Sequence, residues 1–271
     1  MSKTTESSGT ESDSGGLLSL DDVTVVCSDS HLHESVEDVL PFFEERDMAA
    51  KRIIEATDHP GQDIFSITHS MPAYLQSDPP GLEAFNNLEV KLERMDEHGI
   101  DYAILDTGQG ATLPTVNNTR MAVAFARGYN NWLLNKLDEA PSDRFQATML
   151  VAHQRPDLMA EEIDRMADED NIAGVQIPST GVVPPMGHYR YNPIYEAAED
   201  NGLPIAFHGA SVNTSHIFPL ARIWHETYAE DHTMVHPFTQ MWQLQSMMYQ
   251  GVPERYPDLD FIFQESGIGW I

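Results

Sequence analysis

Short apolar runs alternate with longer amphipathic segments along most of this chain, the spacing of repeated strand–helix units. The pattern predicts a first strand through Val25-Val26-Cys27 and further strands over Ile100–Leu105, Phe145–Val151, Ile172–Ile177, Leu203–Phe207 and Leu259–Phe263. A helix over Leu88–Glu97 stops at Gly99. A long one runs from Asn117 or Asn118 toward Pro141, with Met121, Phe125, Gly128 and Trp132 along one face. Pro156–Ala167 is opened by its proline, Pro193–Asn201 follows, and His236–Gln250 carries Phe238, Met241, Trp242, Gln245, Met248 and Tyr249 on one side. Strands separated by helices at this spacing form a parallel sheet, which right-handed crossovers wind into a barrel or a doubly wound sheet. The chain has no GxGxxG, no P-loop and no internal repeat, which weighs against the nucleotide-binding folds.

The first 20 residues break the pattern: they are rich in Ser, Thr, Glu and Gly and read as a disordered tail, with the folded domain over 21–271. The stretch Thr57–Pro80 reads as a substrate-covering insertion or a tolerated surface loop. No apolar run is long enough to cross a bilayer and no signal peptide is visible. The single cysteine, Cys27, excludes an internal disulfide and fits a reducing cytoplasm.

Charge changes the picture more. Asp and Glu number 43 against 15 Lys and Arg, for a formal net charge of −28. Only Lys3, Lys51, Lys91 and Lys136 are lysines, and the acid is spread over helices, as in Glu161-Glu162-Ile163-Asp164. Such a surface repels nucleic acid and anionic membranes. It also repels itself unless concentrated salt screens it, so the expected setting is a salt-rich cytoplasm.

The candidate chemistry begins at Asp29-Ser30-His31-Leu32-His33. On a regular strand Asp29, His31 and His33 share a face, and two imidazoles so placed can grip one divalent cation. They cannot complete a site, so the remaining ligands must come from other strands; a pair of surface histidines is the alternative. Polar residues recur where strands end: His208 closes Leu203–Phe207 and Glu265 follows Leu259–Phe263. Chemistry gathers at the strand C-termini of a parallel barrel, which would bring His208 to the first strand's histidines.

These segments carry a resemblance. With Met95-Asp96-Glu97-His98-Gly99-Ile100-Asp101, Pro141-Ser142-Asp143-Arg144-Phe145, Tyr195-Glu196-Ala197-Ala198 and Gly251-Val252-Pro253-Glu254-Arg255-Tyr256-Pro257, the chain resembles the amidohydrolase-related family. This is the branch that includes aminocarboxymuconate semialdehyde decarboxylase. The resemblance implies a (β/α)8 TIM-type barrel, about six strands of it present here, and a divalent metal, zinc or manganese, held by His31, His33 and His208. It further implies a hydrolase or non-oxidative decarboxylase acting on a small carboxylated or cyclic substrate, and a homodimer.

Two departures from the family pattern stand out. Glu265, in Gln264-Glu265-Ser266-Gly267, occupies the place of an acid/base histidine, and reads as a general base, a further ligand or a structural carboxylate. The strand-eight aspartate of the family has no counterpart before Ile271, so a fragment of a longer enzyme is expected, and a metal-binding remnant without turnover is the rival reading. His236 is a candidate for substrate contact. His59, His69 and His216 are expected in loops. Arg190 and Tyr191 are candidates for a substrate carboxylate, against a plain ion pair for the arginine.

Overall fold

The computed structural model describes residues 23–56, 86–209 and 228–269. The tail, the Thr57–Pro80 stretch and His59, His69 and His216 therefore lie outside the described residues. Six parallel strands, β1 (Val26–Leu32), β2 (Tyr102–Thr107), β3 (Phe145–Leu150), β4 (Ile172–Pro178), β5 (Ile205–His208) and β6 (Phe261–Gln264), form one sheet in the order β1-β2-β3-β4-β5-β6. Sequential order with every pair parallel is the arrangement of a TIM-type (β/α)8 barrel, and not of a doubly wound sheet, whose order reverses.

The curvature can be measured from side chains. Neighbouring strands lie about 4.8 Å apart, so a flat sheet would separate β1 from β5 by about 19 Å. Instead His208 Nε2 at the end of β5 lies 3.4 Å from Asp29 Oδ1 on β1. Gln264, the last residue of β6, donates across the interior to Ser28 O of β1 at 2.6 Å. The strands are curled around a shared axis.

Helices cover the outside: α1 (Val36–Val39), α2 (Met48–Glu55), α3 (Leu88–His98), α4 (Thr119–Asp138), α5 (Pro156–Met166), α6 (Asn192–Asp200), α7 (Tyr228–Tyr249) and α8 (Val252–Arg255). Local chemistry sets their ends. Asn87 and Asn118 side chains accept from the first backbone N–H groups of α3 and α4. Gly99 ends α3 at φ +66°, a left-handed cap that a side chain would strain. The α4 face foreseen through Phe125, Gly128 and Trp132 is buried, against β3 among others. At the N-terminal rim, Arg144 bonds Asp96 at 2.6 Å and the carbonyls of Ile100 and Asp101 at 2.5 and 2.7 Å, joining α3 to the start of β3.

Helix α7 differs from expectation in two respects. It begins at Tyr228, well before the His236 start that the sequence pattern predicts, and runs through Pro237. Its buried side is not the apolar stripe: Phe238, Met248 and Tyr249 are exposed, while Thr239, Gln240 and Gln243 are buried with Val235, His236 and Met247. The reason is hydrogen bonding. Gln240 Nε2 donates to the carbonyls of Phe207 and Gln264 at 2.9 and 3.2 Å, and Gln243 takes the Met186 N–H at 2.7 Å while donating to Ser179 O at 2.9 Å. Strand ends leave unpaired backbone groups, and a glutamine-bearing helix face satisfies them where an apolar one would not.

Candidate active site

Register assembles the site. The ladder sets His31 opposite Asp106 on β2, and His208 opposite Gln264 on β6. A shift in the pairing between Cys27 and Ser30, a stretch that includes Asp29, breaks the first strand's regular alternation, yet Asp29 and His31 meet in the interior. One ligand atom each from Asp29, His31 and His208 lies within 4.8 Å of the others. Asp29 Oδ1 is 3.4 Å from His208 Nε2 and 3.7 Å from His31 Nε2.

The state of these atoms tests whether a cation fits. Asp29 Oδ1 and His208 Nε2 are both buried, and neither has a hydrogen-bond partner among the described residues. Buried polar atoms are rarely left unpaired, and two aimed at one point fit an ion between them. His31 Nδ1 lies 2.9 Å from the Thr107 carbonyl, which can only accept, so the proton sits on Nδ1 and the Nε2 lone pair turns to the cluster. Burial, then the neighbouring His208, lowers the His31 pKa and keeps it neutral. Burial alone would lower His208 as well, but Asp29, Glu265 and Asp106 outweigh it and raise its pKa. Carboxylates that hold a proton on an imidazole would hold a divalent cation by the same attraction.

His33 falls beyond the end of β1, next to this cluster and not within it. Its ring centroid is 5.9 Å from that of His31, and it packs on Gly108, where a Cβ would come within 2.6 Å of the ring. Burial, chiefly, lowers its pKa to about 4.

Glu265 follows β6 at φ +50°, the one positive φ at a non-glycine residue among the described residues. A left-handed conformation is costly for a residue with a Cβ, and such outliers cluster at functional sites. The carboxylate faces two histidines, with His236 Nδ1 2.9 Å and His208 Nε2 3.9 Å from Oε2. Burial would raise its pKa, but the contact with His236 and the charges of His208 and His236 overcome it and hold it at about 2. Glu265 is thus ionised across the ordinary pH range. With so low a pKa it is a weak base and is almost never protonated near neutrality, so it acts as a fixed negative charge beside His236.

Two residues of the site had no signal in the sequence reading. Asp106 sits inside the apolar run of β2, fully buried, accepting from Thr148 Oγ1 and, at 2.6 Å, from Gln264 Nε2. Burial raises its pKa to about 6. A lone acid at the C-terminal end of an apolar strand is the feature that would have marked it. Glu34, next to His33, accepts from Thr107 Oγ1 at 2.5 Å and from the Gly108 and Gly110 N–H groups at 3.0 and 2.7 Å. It thereby fixes the turn whose carbonyl orients His31.

A family model described as amidohydrolase matches residues 29–271. The chain belongs to the amidohydrolase family. Among solved structures it is similar to 5-carboxyvanillate decarboxylase from Novosphingobium aromaticivorans, in complex with manganese and 4-hydroxy-3-methoxy-5-nitrobenzoic acid. The TM-score is 0.62 and the identity 22%, over 89% of this chain and 64% of that one. A 2,6-dihydroxybenzoate decarboxylase in complex with 2,6-dihydroxybenzoate gives 0.55 and 22%, over 72% of this chain and 62% of that one. An amidohydrolase from Mycobacterium avium subsp. paratuberculosis gives 0.64 and 19%, over 90% and 73%. At these identities the likeness concerns the fold, and the chain spans less than two thirds of the length of both decarboxylases. No curated protein matches the chain.

Proposed function

We propose that this amidohydrolase-family chain serves a divalent-metal-dependent enzyme, a non-oxidative decarboxylase or a hydrolase, acting on a small carboxylated or cyclic molecule. The observation that carries the reading is the convergence of Asp29 Oδ1, His31 Nε2 and His208 Nε2, with the buried Asp29 Oδ1 and His208 Nε2 atoms facing each other at 3.4 Å. Two nitrogens and a carboxylate oxygen suit zinc or manganese, and manganese is the ion in the carboxyvanillate decarboxylase. His33 stands beside the three as a further ligand in this proposal. When bound, the ion would polarise a substrate oxygen and offset the negative charge that develops there.

The chain's own groups do the rest. Asp29, His31 and His208 orient the reacting end, and Thr107 O holds the His31 tautomer. Glu265 keeps its charge at Oε2 against His236 Nδ1, 2.9 Å away, and positions that imidazole to carry the proton. Asp106 beneath the cluster adds negative charge that strengthens cation binding. A salt-rich cytoplasm and a homodimer complete the reading; the charge of −28 supports the first. No helix among the described residues is long and apolar enough to cross a membrane.

The deciding experiment loads the protein with manganese or zinc and screens hydroxylated benzoates for carbon dioxide release, and cyclic amides and lactones for ring opening. Turnover that requires the metal and disappears in His208→Ala is expected. Metal binding without turnover on either panel would favour the rival reading of a binding protein.

A further inference from the structure

A cavity of about 360 Å³ opens at the strand C-terminal end, among the segments that follow β2, β3 and β4. Its walls include His153, Gln154, Arg190 and Thr119, the first residue of α4, and none of Asp29, His31 or His208. It is a different space from the histidine–carboxylate cluster. Two of its residues, His153 and Arg190, offer groups to a ligand, and Gln154 holds the wall in place.

His153 is only 6% exposed. Neither of its ring nitrogens has a hydrogen-bond partner among the described residues; its recorded neighbour is the Tyr191 ring, 6.4 Å between centroids. Burial, then the Arg190 charge, depresses its pKa to about 3, so it presents one N–H donor and one lone pair. A buried imidazole on a cavity wall with nothing bonded to it is a group built for a ligand or left at a cost.

Arg190 makes no ion pair with a described carboxylate, in a chain with 43 acidic side chains. Its Nη2 donates to Gln154 O at 3.2 Å, which leaves most of its donors unused. Gln154 is pinned by its amide, which donates to Leu113 O and Val116 O at 2.8 and 3.1 Å. Its Oε1 is buried and unpartnered. Thr119 adds the positive end of a 20-residue helix.

The donors and the charge call for an anion. We propose that this cavity is a second ligand site, for a small organic acid bound through its carboxylate. The carboxylate meets Arg190 and the His153 N–H. The volume accommodates a single substituted ring. Gln154 holds Leu113 O and Val116 O, on the segment that follows Thr107, whose carbonyl orients His31. A ligand here would stiffen the same segment that sets the metal cluster. The inference stands on the cavity and does not require the metal reading.

The test is calorimetric titration of the full chain, with and without manganese, using 2-hydroxybenzoate, benzoate and phenol at constant ionic strength. Without manganese, wild type is expected to bind 2-hydroxybenzoate and benzoate, but not phenol, at one site and with equal affinity in His208→Ala. Arg190→Gln, at an exposed position, should fold normally and weaken binding by about tenfold or more, with Arg190→Lys intermediate. Proton NMR of the His153 ring in wild type should shift during the same titration. Binding lost in His208→Ala would assign the signal to the metal cluster and overturn the proposal. So would undiminished binding in Arg190→Gln, a stationary His153 resonance, or no binding at millimolar ligand.

Discussion

His236 Nδ1 stands 2.9 Å from Glu265 Oε2, and Glu265 reaches that contact from a backbone φ of +50°. The carboxylate is delivered by a conformation its own residue type disfavours, so the contact is held by the surrounding β6–α7 packing and not by local preference. Gln240, which donates to Gln264 O from the same helix face as His236, is part of that frame.

Strain at Glu265 separates two substitutions that remove the same carboxylate. Glu265→Gly and Glu265→Ala should both lose turnover, but the glycine variant should be the more stable by about 1 kcal/mol, since only glycine adopts φ > 0 without penalty. For a chain of this size that is a difference in Tm of about 2–4 °C. Equal melting temperatures would show that the position is unstrained.

The ion pair predicts a pH signature in metal-free protein. The folded-state pKa of Glu265, about 2, lies below its ordinary value of 4.5. Between those values the unfolded chain binds the proton first, so the stabilisation is complete above pH 4.5 and is lost as pH falls toward 2. Wild type should therefore melt above Glu265→Gln at pH 7, with the gap closing through that window. A constant gap from pH 7 to pH 2.5 would remove the ion pair as its cause.

Metal content reports on the ligands one at a time. Asp29→Asn, His31→Ala and His208→Ala should each lower affinity for manganese or zinc on the order of tenfold or more, measured by elemental analysis after dialysis against buffered metal. His33→Ala decides whether a third nitrogen joins the set, since a ligand's removal should match the other three and a bystander's should not. Full metal retention in both Asp29→Asn and His208→Ala would dissolve the cluster assignment.

Salt dependence follows from the net charge of −28. Screening shortens the reach of surface repulsion from about 10 Å at 0.1 M to about 3 Å at 1 M. Melting temperature should climb across that series in potassium chloride. A flat or falling trend would remove the salt-rich setting from the functional reading.

Much of the barrel was legible because its strands are short apolar runs and its helices carry explicit ends. The Asn118 cap, the opening Pro156 and the Gly99 stop mark boundaries within a residue or two of those in the structure. His208 and Glu265 could be placed at strand ends for the same reason. α7 was less legible: Pro237 looks like a helix opener in isolation, and a run of methionines and aromatics looks like a core face. Backbone groups at the ends of β4, β5 and β6 decide otherwise, because they need donors and acceptors that only the polar side of the helix carries.

By itself the sequence determined the order of elements, the identity of the histidines that reach the barrel mouth and the acidity of the surface, because apolar periodicity, chain-end chemistry and charge are local or additive. Which of those groups meet was decided only by tertiary structure. The curl of the sheet sets Asp29 beside His208, and His33, past the end of β1 at Leu32, packs on Gly108. Asp106 entered through its register with His31, and His153 through the cavity behind β3. Each depends on how far the sheet curls and where its ladders align, and those are properties of contacts between segments far apart in the chain, which no single segment encodes.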